Sequence, residues 1–225
     1  MISVIIPTLN EEASLGRSIE SVRAECPSIE VIVADGGSRD RTIEVAEGFP
    51  GVRISRGGKG RGNQMNAGAS LAGGEILLFL HADTLLEKGW KQEVLSALDG
   101  AEGVIGGAFA FAIGNPLPKY RLVEAWVAMR CRVFGLPYGD QAIFIRRDAF
   151  RRLGGYQDMP LMEDVDLVRR MKKDGELALL EKKAVTSGRR WVSKGLVRTA
   201  AINQMTMLLY LLGVSPHRLA KLYYR

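Results

Sequence analysis

Short apolar runs alternate with amphipathic segments along the first half of the chain. Four runs are β-branched or apolar throughout and end at turn residues, which is typical of buried strands. These runs are residues 3–6, 29–34, 52–54 and 76–80. Three segments with apolar positions at helical spacing separate them, at residues 12–24, 41–47 and 64–71. Strands that alternate with helices predict βαβ units and a mostly parallel central sheet, flanked by helices.

The pattern loosens beyond residue 98. Apolar runs predict strands at residues 103–113 and 142–145, and helical spacing predicts helices at 120–134, 163–173 and 196–212. Residues 146–148 begin another helix, and Ser215 with Pro216 is a typical helix start. We therefore expect one α/β domain over residues 1–191 and a basic helical extension over residues 192–225.

Composition favours a globular protein of the reducing cytoplasm. The chain has 225 residues, of which 47% are hydrophobic and 25% charged. Cys26 and Cys131 have neither metal-binding nor redox spacing, so we expect free thiols. No basic segment precedes the apolar residues 1–7, and no run approaches the roughly 20 apolar residues of a spanning helix.

The positive charge is concentrated at the C-terminal end. The net charge is +6, and residues 182–225 contain nine Lys or Arg and no Asp or Glu. An apolar stretch at residues 205–214 lies among these cations and is about half as long as a membrane span. We expect this extension to serve an interface, either the inner membrane surface or a second copy of the chain; the alternative is packing on its own domain. No nucleic-acid partner is expected.

Carboxylates follow three of the predicted parallel strands. Glu11 comes after the first strand, Asp35 ends the second, and Asp83 follows the fourth. Because the carboxyl ends of parallel strands meet at one edge of a sheet, these acids should lie near one another. Grouped carboxylates are costly unless a cation or hydrogen-bond donors accompany them. The pattern therefore predicts a ligand site at this edge.

Six stretches in order resemble the motifs of family 2 glycosyltransferases. They are residues 3–11, 35–42, 66–69, 73–83, 144–156 and 162–167. The resemblance implies a GT-A fold and an enzyme that moves a sugar from a UDP-sugar or GDP-sugar donor to an acceptor hydroxyl with inversion. The Phe-Leu-His-Ala-Asp-Thr stretch at 79–84 resembles a short bacterial branch named for arsenosugar biosynthesis and for association with radical-SAM and selenodomain proteins.

On the donor side, the resemblance implies that Asp83 ligates a divalent cation that bridges the two phosphates. Mn²⁺ and Mg²⁺ suit its oxygen ligand. The chain departs from the family's Asp-x-Asp pattern, because His81 replaces the first acid, and this leaves the identity and the necessity of the metal open.

The resemblance also implies a pocket for the base and ribose, with Asp35 accepting a hydrogen bond from the base. The residues expected to line this pocket are Pro7, Thr8, Glu11, Asp35 and Gly36. Lys59 and Arg61 belong to a basic, Gly-rich loop before a helix, which suits the diphosphate.

On the acceptor side, Asp164 is the predicted catalytic base, since a carboxylate at a helix start is positioned by backbone amides. Glu163 is expected beside it. Arg190 and Trp191 match the family's Gln-x-x-Arg-Trp motif, with the Gln replaced by Ser187, and imply a diphosphate clamp and a sugar-stacking face. Asp140 precedes the acceptor-side strand and is expected to touch the acceptor.

Two other classes of function remain open at this point. A sugar-nucleotide nucleotidyltransferase shares the general fold, but its Gly-rich, Arg-containing loop follows the first strand, where this chain has residues 8–11. A non-catalytic protein that binds a membrane or polyanion is the second alternative. The combination of Asp35, Asp83 and Asp164 favours the enzyme.

Overall fold

The computed structural model describes residues 1–100 and 102–223, without the side chains of Arg190 and Lys194. The strands are β1 (Ile2–Thr8), β2 (Glu30–Asp35), β3 (Arg53–Arg56), β4 (Ile76–Phe79), β5 (Thr84–Leu86), β6 (Val104–Ile113), β7 (Ile143–Arg146) and β8 (Glu176–Thr186). The helices are α1 (Leu15–Arg23), α2 (Thr42–Glu47), α3 (Arg61–Leu71), α4 (Trp90–Asp99), α5 (Pro118–Phe134), α6 (Arg147–Arg152), α7 (Glu163–Asp174), α8 (Arg189–Lys194), α9 (Leu196–Leu211) and α10 (Pro216–Tyr223).

The strands form one mixed sheet in the order β3-β2-β1-β4-β7-β6-β8-β5. The first four strands of that order pair in parallel, as does β6 with β8. β7 runs antiparallel to both of its neighbours, and β5 runs antiparallel to β8. The predicted α/β architecture is confirmed; the sheet is parallel in its first half and mixed in its second.

Side chains of the central strands alternate between two hydrophobic cores. On β1, Val4 and Ile6 belong to the core under α1 and α4, whereas Ile5 belongs to the core under α3, α6 and α7. All three side chains are fully buried. Burying such a side chain contributes about 1.5–3 kcal/mol, so both layers of helices hold β1 in place. Because both faces are covered, β1 is continuously apolar rather than alternating.

Helix α3 packs closely on the sheet, and this brings its first residue to the strand ends. A Cβ on Gly68 would lie 2.5 Å from Ile5 Cγ2 and 3.3 Å from Ala34 Cβ, so only glycine permits this approach. α3 begins at Arg61, beside the carboxyl ends of β1 and β2. The packing thus places Arg61 at the carboxyl edge of the parallel strands, where the sequence predicts a group of carboxylates.

The C-terminal helices belong to a third, smaller core. Its buried members come from β6, α5 and α8, and partly buried residues of α9 pack against it. The buried members are Phe111, Ile113, Tyr120, Val127, Cys131 and Trp191. In the described part of the chain, no helix is long and apolar enough to span a bilayer.

Candidate functional site

One cleft of about 840 Å³ opens at the carboxyl ends of the parallel strands. The loops after β1, β2 and β4, the starts of α3 and α7, and the inner face of α9 line it. Of the sequence-predicted site residues, the cleft brings together Pro7, Thr8, Glu11, Gly36, Lys59, Arg61, His81, Asp83, Asp140, Glu163, Asp164 and Trp191. The side chain of Arg190 lies outside the described structure.

The carboxylate of Asp35 accepts hydrogen bonds from the loop that follows β2. Its Oδ2 accepts hydrogen bonds from the backbone N–H groups of Gly37 (2.8 Å) and Ser38 (3.0 Å). Its Oδ1 accepts from Ser38 Oγ (2.5 Å) and from Thr8 Oγ1 (3.2 Å). Burial raises the pKa of Asp35, but these hydrogen bonds outweigh it and leave the pKa below its usual value. The carboxylate is 4% exposed and fixes the loop beneath the cleft.

Gln64 supports the same loop, and sequence reasoning did not identify it as a site residue. Its side chain is buried, and Nε2 donates a hydrogen bond of 2.8 Å to the carbonyl of Thr8. A Cβ on Gly36 would lie 2.0 Å from that nitrogen. Gly36 is therefore required for the amide to reach the end of β1. In the sequence, the only signal for this role of Gln64 was its place at the start of a predicted helix.

Arg189 joins two of the strand-end carboxylates. Its Nη2 lies 3.1 Å from Glu11 Oε2 and 3.6 Å from Asp83 Oδ2. These ion pairs raise the pKa of the guanidinium, although burial acts in the opposite direction as the largest single effect. The predicted grouping of acids at this edge is thus accompanied by a cation of the protein itself.

Asp164 is fixed at the start of α7. Its Oδ2 accepts a hydrogen bond of 2.6 Å from the backbone N–H of Gly139, and its Oδ1 accepts one of 2.8 Å from the backbone N–H of Val165. Met162 precedes the helix with a φ of +69°, which turns the chain into α7. Two backbone donors thus fix the orientation of the Asp164 carboxylate at the start of α7.

Glu163 is 4% exposed, and its Oε1 lies 3.7 Å from Arg61 Nη1. Burial, and then the neighbouring Asp164, raise the pKa of Glu163 to about 7, while Arg61 acts in the opposite direction. The carboxyl groups of Glu163 and Asp164 thus differ in burial and in their hydrogen-bond partners. Such a difference between neighbouring carboxyl groups is found at acid–base sites.

We expect Glu163→Gln to raise the thermal stability of the protein, and increasingly so as the pH rises. A carboxyl whose pKa is higher in the folded than in the unfolded protein destabilises the fold once it must ionise. The gap in Tm between variant and wild type should be small near pH 4.5 and widest above pH 7. Unfolding scans across this range measure it, with the exposed Glu47→Gln as a control. A gap that does not depend on pH contradicts the assignment.

A second cluster surrounds the short 3₁₀ turn Gly139–Gln141, with Arg130 and Gln141 buried. Arg130 lies over the ring of Tyr138, 3.5 Å from its centroid, and Nη2 donates to Gln141 Oε1 at 3.2 Å. Asp140 follows on the short 3₁₀ turn Gly139–Gln141. Burial raises the pKa of Asp140 to about 6, with Arg130 lowering it and Asp164 raising it further.

His81 faces Asp164. Its Nε2 lies 3.2 Å from the point that a Cβ on Gly139 would occupy, and Asp164 Oδ2 lies 3.1 Å from the same point. Burial, followed by the positive charge of Arg61, lowers the pKa of His81 to about 3. The imidazole is therefore neutral at physiological pH.

The C-terminal helices form a wall of the cleft. Thr199, Asn203 and Thr206 occur at helical spacing on α9 and line it, together with Tyr223 of α10 and Trp191 of α8. Trp191 is 9% exposed because it also packs in the third core. The packing of α8 and α9 in the third core agrees with the alternative, packing on the chain's own domain, and the interface role stays a prediction. Of the residues in this wall, sequence motifs identified only Trp191.

The model of glycosyl transferase family 2 matches residues 3–153, more than half of the chain. The chain belongs to this family. The matched region includes β1 to β7 and the loops after β1, β2 and β4 that line the cleft.

Two curated relatives of the chain illustrate the match. A PGL/p-HBAD biosynthesis glycosyltransferase of Mycobacterium bovis (strain BCG / Pasteur 1173P2) is 33% identical over 171 residues, covering 69% of this chain and 63% of the relative. Validoxylamine A glucosyltransferase of Streptomyces hygroscopicus subsp. limoneus is 31% identical over 196 residues, covering 75% and 38%. The chain thus spans less than two thirds of the length of either relative.

Solved structures share the fold of this chain. Glucosyl-3-phosphoglycerate synthase from Mycobacterium tuberculosis, in complex with Mn²⁺ and UDP-glucose, aligns with a TM-score of 0.62 at 20% identity, covering 95% of this chain and 79% of that one. Staphylococcus aureus TarS 1-349 in complex with UDP-GlcNAc aligns with a TM-score of 0.62 at 16% identity, covering 83% and 58%. The GT-A architecture predicted from the motifs is confirmed.

Proposed function

We propose that this chain is an inverting glycosyltransferase that moves a sugar from a nucleoside-diphosphate sugar to an acceptor hydroxyl. The observation that carries the proposal is the meeting of the family 2 strand-end loops with Asp164 in a single cleft. In the reaction, Asp164 takes the proton of the acceptor hydroxyl while that oxygen bonds to the anomeric carbon. The bond between that carbon and the diphosphate breaks, and the nucleoside diphosphate leaves.

The nucleotide is assigned to the loops after β1 and β2. Pro7, Thr8, Glu11 and Gly36 line this end of the cleft and suit the base and ribose of a UDP or GDP donor. Asp35 already accepts four hydrogen bonds from its surroundings. We therefore assign it to holding the Gly36 backbone in place, because direct contact with the base would require one of those donors to be given up.

The diphosphate is assigned to the basic side of the cleft. Lys59 and Arg61 line it, and Arg190 is proposed as a further clamp from α8. On the acceptor side, we propose that Trp191 packs on a sugar face and that Asp140 and Glu163 contact the acceptor. Arg61 lies 3.7 Å from Glu163, so the proposed diphosphate and acceptor residues are neighbours in the cleft.

Asp83 fits a divalent cation. Its half-buried carboxylate lines the cleft and supplies a hard oxygen ligand, and neutral His81 is proposed beside it. No group of three His, Cys, Asp or Glu among the described residues is arranged to hold a metal alone. Phosphate oxygens of the donor would be suitable further ligands. When bound, Mn²⁺ or Mg²⁺ supplies charge neutralisation of the leaving diphosphate.

The two alternative functions are less well supported. A nucleotidyltransferase needs a Gly-rich basic loop after β1, whereas here Glu11 of that loop pairs with Arg189. A non-catalytic binding protein has no use for Asp164 held by two backbone donors inside the cleft. A role in arsenosugar biosynthesis is proposed only from the resemblance of residues 79–84 to the branch of that name.

A panel of nucleoside diphosphates and nucleotide sugars tests the proposed function. We expect a UDP or GDP compound to raise the Tm of the protein by several degrees, with a larger shift when Mn²⁺ is present, because a ligand that binds only the folded state stabilises it. Release of nucleoside diphosphate from the matching sugar donor should follow. Equal shifts with adenosine and cytidine compounds, or none with any compound, would contradict the proposal.

We also propose that the enzyme works in the cytoplasm, at the inner face of the membrane. The outer face of α9 is apolar and exposed, opposite to the polar face that lines the cleft. Val197 is 78% exposed, Leu208 53% and Leu212 72%, all at helical spacing. Neither α9 nor α10 contains an acidic residue, and both carry exposed cations such as Arg198 and Arg218. An apolar face with basic neighbours suits an anionic lipid surface.

Flotation with phosphatidylglycerol-containing vesicles tests this location. The wild type should float, and salt at about 1 M should reduce the bound fraction because it screens the basic side chains. The double variant M205E/L208E should bind about 100-fold more weakly, since two apolar side chains no longer enter the interface. Leu179→Glu, at a 40% exposed position on β8, is the control. A wild-type dimer that becomes a monomer in M205E/L208E, with no vesicle binding, contradicts the proposal and favours contact between copies.

A further inference from the structure

The cation that neutralises the carboxylates at the ends of β1 and β4 is a side chain of the protein. Arg189 Nη2 lies 3.1 Å from Glu11 Oε2 and 3.6 Å from Asp83 Oδ2. The Nε–H of the same guanidinium donates to Ser187 Oγ at 3.2 Å. One guanidinium thus contacts the loops after β1, β4 and β8, at the donor-side edge of the cleft.

The guanidinium of Arg189 lies near any cation that the Asp83 carboxylate would hold. A divalent cation on this carboxylate has to lie about 2.0–2.6 Å from its oxygen. A guanidinium nitrogen 3.6 Å from Asp83 Oδ2 and a metal on the same carboxylate then sit close together. Two cations at such separation repel each other strongly in a partly buried site. Arg189 and a metal are therefore competitors for Asp83 as long as no further anion is present.

We propose that Arg189 is the counter-cation of the donor-free site, and that a divalent cation reaches Asp83 only when a diphosphate draws the guanidinium away. A diphosphate offers Arg189 a better partner, since guanidinium binds phosphate oxygens bidentately. The donor therefore brings the metal with it, and the donor-free enzyme binds the metal weakly. This inference rests on the proposed function, because the diphosphate is that of the donor.

Binding of Mn²⁺ to the donor-free protein, measured by calorimetry, tests the proposal without turnover. We expect Arg189→Gln to bind Mn²⁺ about tenfold more tightly than the wild type, because the competing charge is removed. Arg189→Lys keeps the charge and should resemble the wild type. Arg152→Gln breaks a comparable exposed ion pair with Asp174 and should change nothing. The gain should disappear in the double variant D83N/R189Q, because Asp83 is the group freed.

Three results overturn the inference. They are equal or weaker Mn²⁺ binding by Arg189→Gln, no binding by that variant at millimolar Mn²⁺, and a gain that persists in D83N/R189Q. The shift in Tm caused by nucleoside diphosphates reports on the proposed function separately. A wild type that shifts with UDP or GDP but whose Mn²⁺ affinity ignores Arg189→Gln contradicts this inference alone.

Discussion

Asp164→Asn should lower the rate of sugar transfer by about 10²–10⁴-fold, the usual contribution of a general base. The amide cannot take the proton of the acceptor hydroxyl, but it keeps the size of the carboxylate. Because Asp164 is assigned to the acceptor and not to the nucleotide, the donor Kd should change little. Initial rates of nucleoside diphosphate release and donor calorimetry measure the two quantities.

Asp166→Asn is the matched control for this variant. Asp166 lies on the same helix, two residues further, and its carboxylate pairs with Arg170 at 2.7 Å. The substitution changes the same charge in the same first turn of α7 but leaves the cleft intact. A rate that falls equally in both variants, or only in Asp166→Asn, would remove Asp164 from the role of base.

The second large effect is expected at Asp83. Asp83→Asn should lower kcat/KM by about 10²–10³-fold, since one preorganised charge at the leaving group is lost with its cation. Chelation of divalent cations should lower the activity of the wild type, though less than in an enzyme that keeps both acids of the Asp-x-Asp pattern. The reason is that Lys59, Arg61 and Arg189 also offer positive charge at this side.

Titration with Mn²⁺ and Mg²⁺ after chelation measures the metal dependence, with the exposed Asp99→Asn at the end of α4 as a control. Full activity in chelator, together with a harmless Asp83→Asn, would show that the cations of the protein suffice. Activity of Asp83→Asn that excess Mn²⁺ restores would place the cation on other ligands.

The parts of the fold predicted from sequence are those with a strong local pattern. β1 is buried along its whole length, so its continuous apolar run identified it. β8 was not predicted, because only Leu180, Ala184 and Thr186 of its 11 residues are buried and charged residues interrupt the pattern. β5 has three residues, too few for any periodicity. Pairing with neighbouring strands, and not local propensity, defines both.

The residues of the candidate site likewise fall into two groups, those that the local sequence pattern identified and those that only tertiary packing brings to the cleft. The strand ends identified Glu11 and Asp83, because topology alone places them at one edge. The bond of Arg189 to Glu11 joins residues 178 positions apart, and α9 reaches the cleft only through the third core. Such contacts depend on tertiary packing. The four bonds around Asp35 likewise depend on the turn at Gly37, whose φ is +96°, and no sequence motif reveals that the carboxylate is already engaged.

A crystal structure with the donor and Mn²⁺ bound tests the central proposal most directly. We expect the base to lie over the loops after β1 and β2, and the diphosphate to lie between Asp83 and the basic side of the cleft. We expect Arg189 to bind phosphate oxygens, and the anomeric carbon to lie between the leaving oxygen and the carboxylate of Asp164. A nucleotide outside this cleft, or Asp164 on the same side of the sugar as the diphosphate, would contradict an inverting transfer with Asp164 as base.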